Sequence, residues 1–128
     1  MAHDHVDLDL PLTSRFAATV RAVAASVAAS VGLTVDDIDD LSLGVNEAVS
    51  VLTDVDPDVA IGARLRVRFE VHSHDIVVVA WREGTDPVTS LDLDDLARRI
   101  MDAVVDEYDI DRSGAVRLRK RVTADAEA

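Results

Sequence analysis

Leu41-Ser42-Leu43-Gly44-Val45-Asn46-Glu47-Ala48-Val49-Ser50-Val51-Leu52 decides how this chain folds. Taken with Ile38, it places Leu41, Val45, Ala48, Val49 and Leu52 at helical spacing, which predicts one apolar stripe along an amphipathic helix. Glu47 stands off that stripe. Upstream, Thr34-Val35-Asp36-Asp37 resembles a capping box, and its acids suit the positive end of a helix. Downstream, the helix is expected to fray near Pro57.

Working outward, Thr13 or Ser14 caps a second long helix through about Val31. Phe16, Val20, Val23, Val27 and Val31 lie on its inner side, and Gly32 stands where a left-handed end is wanted. Before it, His5 to Leu10 alternates Val6, Leu8 and Leu10 with Asp7 and Asp9, the pattern of a half-buried strand that Pro11 ends. Beyond the central helix, Arg64 to His72 alternates in the same way, Ser73-His74-Asp75 turns, and Ile76 to Trp81 is apolar on both faces, as a central strand would be. A third helix is expected from about Asp92 to Glu107 on Leu93, Leu96, Ala97, Ile100, Val104 and Tyr108. A last strand follows from Ala115 to Val122.

This order predicts an α+β, two-layer sandwich: three helices on one face of a mostly antiparallel sheet of four to five strands. On the other face, Arg64, Arg66, Arg68, Arg117, Arg119 and Arg121 have Asp7, Asp9 and Glu70 to pair with. The same face is also a candidate homodimer interface. One domain is expected over residues 1–128, with a core from about 5 to 122 and loose ends at 1–4 and 123–128.

Composition narrows the function. Hydrophobic residues make up 48% but aromatic residues only 3%, so the core should be aliphatic. There is no Cys, which rules out disulfides and thiolate metal sites and agrees with a cytoplasmic location. No apolar run approaches the roughly 20 residues of a membrane span, so no membrane partner is expected. A net charge of −12 disfavours nucleic acid, whose phosphates would be repelled. The charge is also segregated: Leu33 to Asp58 holds eight carboxylates and no base, while Arg112 to Val122 holds five bases and no acid.

Several metal and catalytic patterns fail on inspection. Asp54-Val55-Asp56-Pro57-Asp58 opens like a calcium loop but has Val59 where the loop needs Gly and Leu65 where it needs Glu. Asp109 to Gly114 has the Gly but ends on Lys120, and an ammonium cannot replace a bidentate carboxylate. His72 and His74 flank a turn without a third ligand, and His3 and His5 read as solvated, so no metal site is assigned. No Gly-rich Walker loop, GxSxG elbow or HExxH is present.

The order of elements remains, together with Asn46-Glu47-Ala48-Val49, the strand Ile76 to Trp81, Gly84-Thr85-Asp86-Pro87, the helix around Ile100 to Tyr108 and Val116 to Arg121 behind it. These resemble the anti-sigma-factor, serine-protein-kinase branch of the histidine-kinase-like (GHKL) ATPases over about His5 to Val122. The resemblance implies that fold and a nucleotide site in which a glutamate acts as base, with an asparagine four residues later holding Mg²⁺. Glu47 matches the first and is the catalytic candidate; Val51 stands in the second place. The family's adenine-reading aspartate and two glycines fall on Ala80, Arg82 and Gly84, of which only Gly84 matches. Its glycine-rich lid falls on Leu91-Asp92-Leu93-Asp94-Asp95, whose carboxylates would repel a triphosphate.

Asn46, Glu47 and Gly84 are therefore the cofactor-binding candidates of a degenerate ATP site, and neither ATP nor Mg²⁺ is expected to be a working cofactor. The resemblance further implies a non-catalytic anti-sigma-factor-like protein whose partners are a sigma factor and an anti-sigma antagonist. Arg15 and Arg21 on the first helix, and Asp36, Asp37, Asp39 and Asp40 on the second, are the candidate partner contacts. Two alternatives stand beside this: an active ATP-dependent serine kinase using Glu47, and a dimerisation scaffold held by the Arg-rich face.

Overall fold

The computed structural model describes residues 4–85 and 91–122. Strand β1 (Asp4–Pro11) leads through a 3-10 turn (Ser14–Phe16) into helix α1 (Ala17–Ser30) and helix α2 (Val35–Thr53). A single helical turn, α3 (Pro57–Ala60), precedes a hairpin of β2 (Arg64–Val71) and β3 (Asp75–Glu83). Helix α4 (Asp95–Val104) and strands β4 (Glu107–Ile110) and β5 (Val116–Arg121) follow.

Among the described residues the strands lie in the order β1-β2-β3-β5-β4 and every pairing is antiparallel. Helices α1 and α2 cover one sheet face and α4 packs beside α2, so the α+β two-layer architecture is the one expected. Between the layers, Leu41, Val45, Val49 and Leu52 of α2 meet Leu65 and Phe69 of β2, Ile76 and Val78 of β3, and Leu118 of β5. Burying each such side chain contributes about 1.5–3 kcal/mol, so this aliphatic interface carries most of the fold.

The helix boundaries follow local chemistry. Thr34 caps α2, its Oγ1 accepting from the Asp37 amide at 3.1 Å, with Asp36 and Asp37 in the first turn. Gly32 closes α1 at a φ of 85°, a left-handed conformation that a side chain would strain. Instead of one helix from Thr13, the chain makes the 3-10 turn first, because Thr13 accepts from Arg15 at 3.2 Å and so tightens the opening turn. Near Pro57 the chain re-forms a helical turn capped by Asp56 rather than fraying away.

The third helix departs further from expectation. It starts at Asp95, because Asp94 takes the cap and accepts from the Ala97 amide at 2.8 Å, and it ends at Val104 rather than Glu107. From there Glu107-Tyr108-Asp109-Ile110 alternates and forms β4, with Tyr108 opposite Leu118 and Ile110 opposite Val116. Tyr108 and Ile110 thus reach the core from a strand, which settles the sheet at five strands among the described residues.

The outer sheet face is a ladder of ion pairs. Arg68 grips Asp7 through Nε (2.7 Å) and Nη2 (3.1 Å), Arg64 Nε reaches Asp9 at 2.8 Å, and Arg66 turns to Glu83 at 2.7 Å. Across β3, Arg119 lies 3.3 Å from Asp75, and Arg121 donates to Glu107 at 2.6 Å. The pairing with Asp7 and Asp9 is as expected, whereas Glu83, Asp75 and Glu107 take the arginines that Glu70 does not. The loose end expected over 1–4 is corrected at Asp4, which opens β1 opposite Val71 because the β1–β2 ladder runs that far; residues 1–3 and the expected loose end 123–128 lie outside the described residues, as do Asp86 and Pro87.

Candidate functional site

Glu47 projects from the flank of α2 into an open cleft of about 330 Å³ between the C-terminal half of α2 and the segment leading into α4. Ser50, Val51 and Asp54 continue the α2 wall, and Asp92, Leu93, Asp94 and Leu96 form the other. Capping of α4 by Asp94, whose own backbone is extended (φ −72°, ψ 174°), sets where the helix begins and the second wall ends.

Charge dominates this cleft. Among the described residues Glu47, Asp54, Asp92 and Asp94 line it and no Lys or Arg does. Arg98 pairs with Asp92 and donates to the Leu93 carbonyl at 3.0 Å, while one Asp94 oxygen is spent on the Ala97 amide. Glu47 and Asp54 form no ion pair among the described residues. Val51 offers only methyl groups where a hard cation needs oxygen. Among the described residues no three His, Asp or Glu side chains gather as a metal site.

Behind the cleft, Arg82 of β3 turns inward and donates from Nε to the Leu52 carbonyl at 2.7 Å and from Nη2 to the Val51 carbonyl at 3.2 Å. Those carbonyls are among the last of α2 and lack helical partners, so the guanidinium closes the helix end. Burial pushes the Arg82 pKa down, and the nearby Asp54 carboxylate opposes that shift. Ala80 is buried in the core between its neighbours Val67 and Val116 and presents no group to read a base.

Asn46 and Gly84 do not join Glu47. Adjacent helical residues diverge by about 100°, and Asn46 instead accepts from Arg21 Nη1 at 2.7 Å across the α1–α2 seam. There it lines a shallow groove with Asp39, Ser42 and Leu43. Gly84 lies beyond β3, with its Cβ position 3.5 Å from the Ala63 Cα. Arg15 sits exposed on the 3-10 turn, its guanidinium 5.5 Å from the Phe16 ring centre.

The acidic run at the start of α2 divides in two. Asp36 and Asp39 face solvent, whereas Asp37 and Asp40 lie 3.7 and 3.6 Å from the Nζ of Lys120, a lysine only 9% exposed. The Lys120 ammonium also donates to the Val104 carbonyl at the end of α4, at 3.0 Å, so it ties two helices to β5. Sequence reasoning missed Lys120, although alternation from Leu118 to Val122 would have pointed it inward. It also missed Asp54 and Leu96, which reach the cleft only through the tertiary placement of α4.

No family model matches the sequence, and no curated protein matches it. Among solved structures, the chain is similar to the crystal structure of the RsbU and RsbW domains of Rv1364c from Mycobacterium tuberculosis. The likeness has a TM-score of 0.58 and 20% identity, and covers 93% of this chain and 32% of that one. At that identity the match bears on the fold alone. The chain spans about a third of the length of the protein it resembles. No helix among the described residues is long and apolar enough to cross a membrane.

Proposed function

We propose that this protein is an anti-sigma-factor-like regulator that binds a sigma factor or its antagonist without turning over ATP. The observation that carries the reading is the cleft under Glu47. Four carboxylates, no base and Val51 at the metal position leave a triphosphate without a counter-charge and Mg²⁺ without a ligand. Binding then falls to surfaces, and the candidate contacts are Arg15, Arg21 and the α2 acids, of which Asp36 and Asp39 are exposed and complementary to a basic DNA-binding surface.

Calorimetric titration with ATP and Mg²⁺ tests the chemical half of this reading. The expected outcome is no saturable heat up to about millimolar nucleotide, the range in which binding energies fall near 4 kcal/mol. Saturation at micromolar nucleotide would instead support the kinase alternative with Glu47 as base. Co-expression with candidate sigma factors tests the binding half: one of them should co-purify at moderate salt, and failure of all of them would remove the sigma-factor assignment.

A further inference from the structure

Among the described residues the sheet ends on two edges of unlike character. On one side β4 is four residues long, the short kind of edge by which sheets turn away foreign strands. On the other, β1 runs for eight residues in unbroken register with β2, with no bulge and no Lys, and no described strand lies beyond it.

The direction of its backbone groups follows from one bond. The Leu12 amide donates to the Ala63 carbonyl at 3.1 Å, in the same register that pairs β1 with β2. Hydrogen-bonded positions alternate along an antiparallel strand, so Leu10, Leu8 and Val6 turn their N–H and C=O groups to β2, while His5, Asp7 and Asp9 turn theirs to the open side. Among the described residues only the Asp9 carbonyl of these is engaged, by Arg64 Nη2 at 3.3 Å. Pro11, without an N–H, ends the row before the 3-10 turn that carries Arg15.

Side chains sort by face on the same strand. Pleating places His5, Asp7 and Asp9 on the outer face and Val6 and Leu8 on the inner one. Helix α1 packs over β2, which leaves Val6 39% exposed and Leu8 half-buried at the margin of the core. Strand β2 shows what such a strand accepts as a neighbour: Arg68 stands opposite Asp7, Arg66 opposite Asp9, Val67 opposite Leu8 and Phe69 opposite Val6. Asp9 holds Arg64 through one oxygen and is still 54% exposed, so the open side presents a carboxylate.

We infer that the open side of β1 receives an extended segment of a partner protein, about five residues long, in which Lys or Arg alternates with Val, Leu or Ile. Its backbone would pair with His5, Asp7 and Asp9. Its basic side chains would lie beside those residues on the outer face, and its aliphatic ones would cover Val6 and Leu8. A second copy of β1 is disfavoured, because a two-fold pairing sets Asp7 and Asp9 against the same acids in a chain of net charge −12.

Capped peptides titrated into the isotopically labelled full chain test the assignment. One that alternates Lys and Val should bind saturably, and about tenfold or more tighter than a peptide of the same composition in blocks or one that alternates Glu and Val. Hydrogen exchange at the His5, Asp7 and Asp9 amides should slow by about tenfold or more, while Val6 and Leu8 stay unchanged. N-methylation of the Lys residues should abolish binding, whereas N-methylation of the Val residues should leave it within about twofold, since only the Lys amides face β1. His5→Pro removes one outward N–H and none from the β1–β2 ladder, and should weaken binding by about fivefold or more. Asp9→Asn keeps every backbone bond and should flatten the salt dependence.

No saturable binding by the alternating Lys/Val peptide, equal binding by either control, tolerance of N-methylated Lys, protection gained elsewhere, or indifference to His5→Pro would overturn the proposal. So would self-association that protects the same three amides without peptide, which would give the edge to a second copy. Neither the ATP titration nor sigma-factor co-purification reports on these amides, so the two readings fail separately.

Discussion

Arg82 is the one charged side chain that β3 turns toward the helices. Its guanidinium takes the Leu52 and Val51 carbonyls and makes the end of α2 part of the packed interior. Arg82→Met keeps the stem and loses both bonds, leaving two carbonyls without that donor. Urea unfolding should show a loss of about 1–3 kcal/mol, and an unchanged midpoint would mean that water replaces the guanidinium at no cost. Neighbouring residues illustrate how far sequence reasoning carried at this scale. Glu47 was legible as the residue facing the cleft because helical phase alone fixes its direction. Asn46 was not, because its engagement with Arg21 depends on how α1 crosses α2, and single-residue chemistry holds no record of that crossing.

Helices and strands were more legible than their ends. The stripe from Ile38 to Leu52 gave α2 because six apolar positions agree on one phase, and the alternation from Arg64 to Val71 gave β2 for the equivalent reason at period two. The segment after Val104 was misread because Tyr108 satisfies both periods, and only pairing with β5 decides between them. Within α2, Gly44 is an interior glycine that looks like a weakness. A Cβ there would stand 2.9 Å from Val105 Cγ1, so the helix has no room for a methyl at its contact with the end of α4. Gly44→Ala should therefore lose stability by about 1 kcal/mol in urea unfolding, overpacking outweighing the roughly 1 kcal/mol helical gain; a stabilised variant would show that Val105 gives way. The β1–β2 pair carries a pH prediction. The Arg68 hydrogen bond holds the Asp7 carboxyl below its ordinary value of 3.8, so its contribution is present above that value and is lost as pH falls through the lowered one. The gap in urea midpoint between wild type and Asp7→Asn should be visible at neutral pH and close as the pH falls below the ordinary carboxylate range; a gap that persists in acid would mean the pair does not titrate with folding.

At the scale of the whole molecule, net charge −12 sets repulsion against the ordered pairs of the outer sheet face. Exposed pairs contribute at most about 1 kcal/mol each, whereas the unbalanced acids of residues 33–58 repel one another across α2 and its surroundings. Raising salt from about 0.05 to about 0.5 M should therefore raise the thermal midpoint by roughly 2–5 °C, and a fall would show that the ladder outweighs the repulsion. The layered architecture was legible because each element declared one apolar side. The order of strands within the sheet was not, because amphipathicity says which face is buried and nothing about neighbours. That order has its own consequence for how the chain comes into being. Strand β5, the last of the elements, is inserted between β3 and β4 and is the sheet partner of both. As the polypeptide leaves the ribosome, β1, β2 and β3 can form a meander early, but β3 keeps an open edge and β4 has nothing to pair with until Val116 to Arg121 emerges. Completion of the sheet is thus a late, non-local event, and an incomplete chain displays a long apolar strand edge during synthesis, the moment at which it is most exposed to aggregation or to a chaperone.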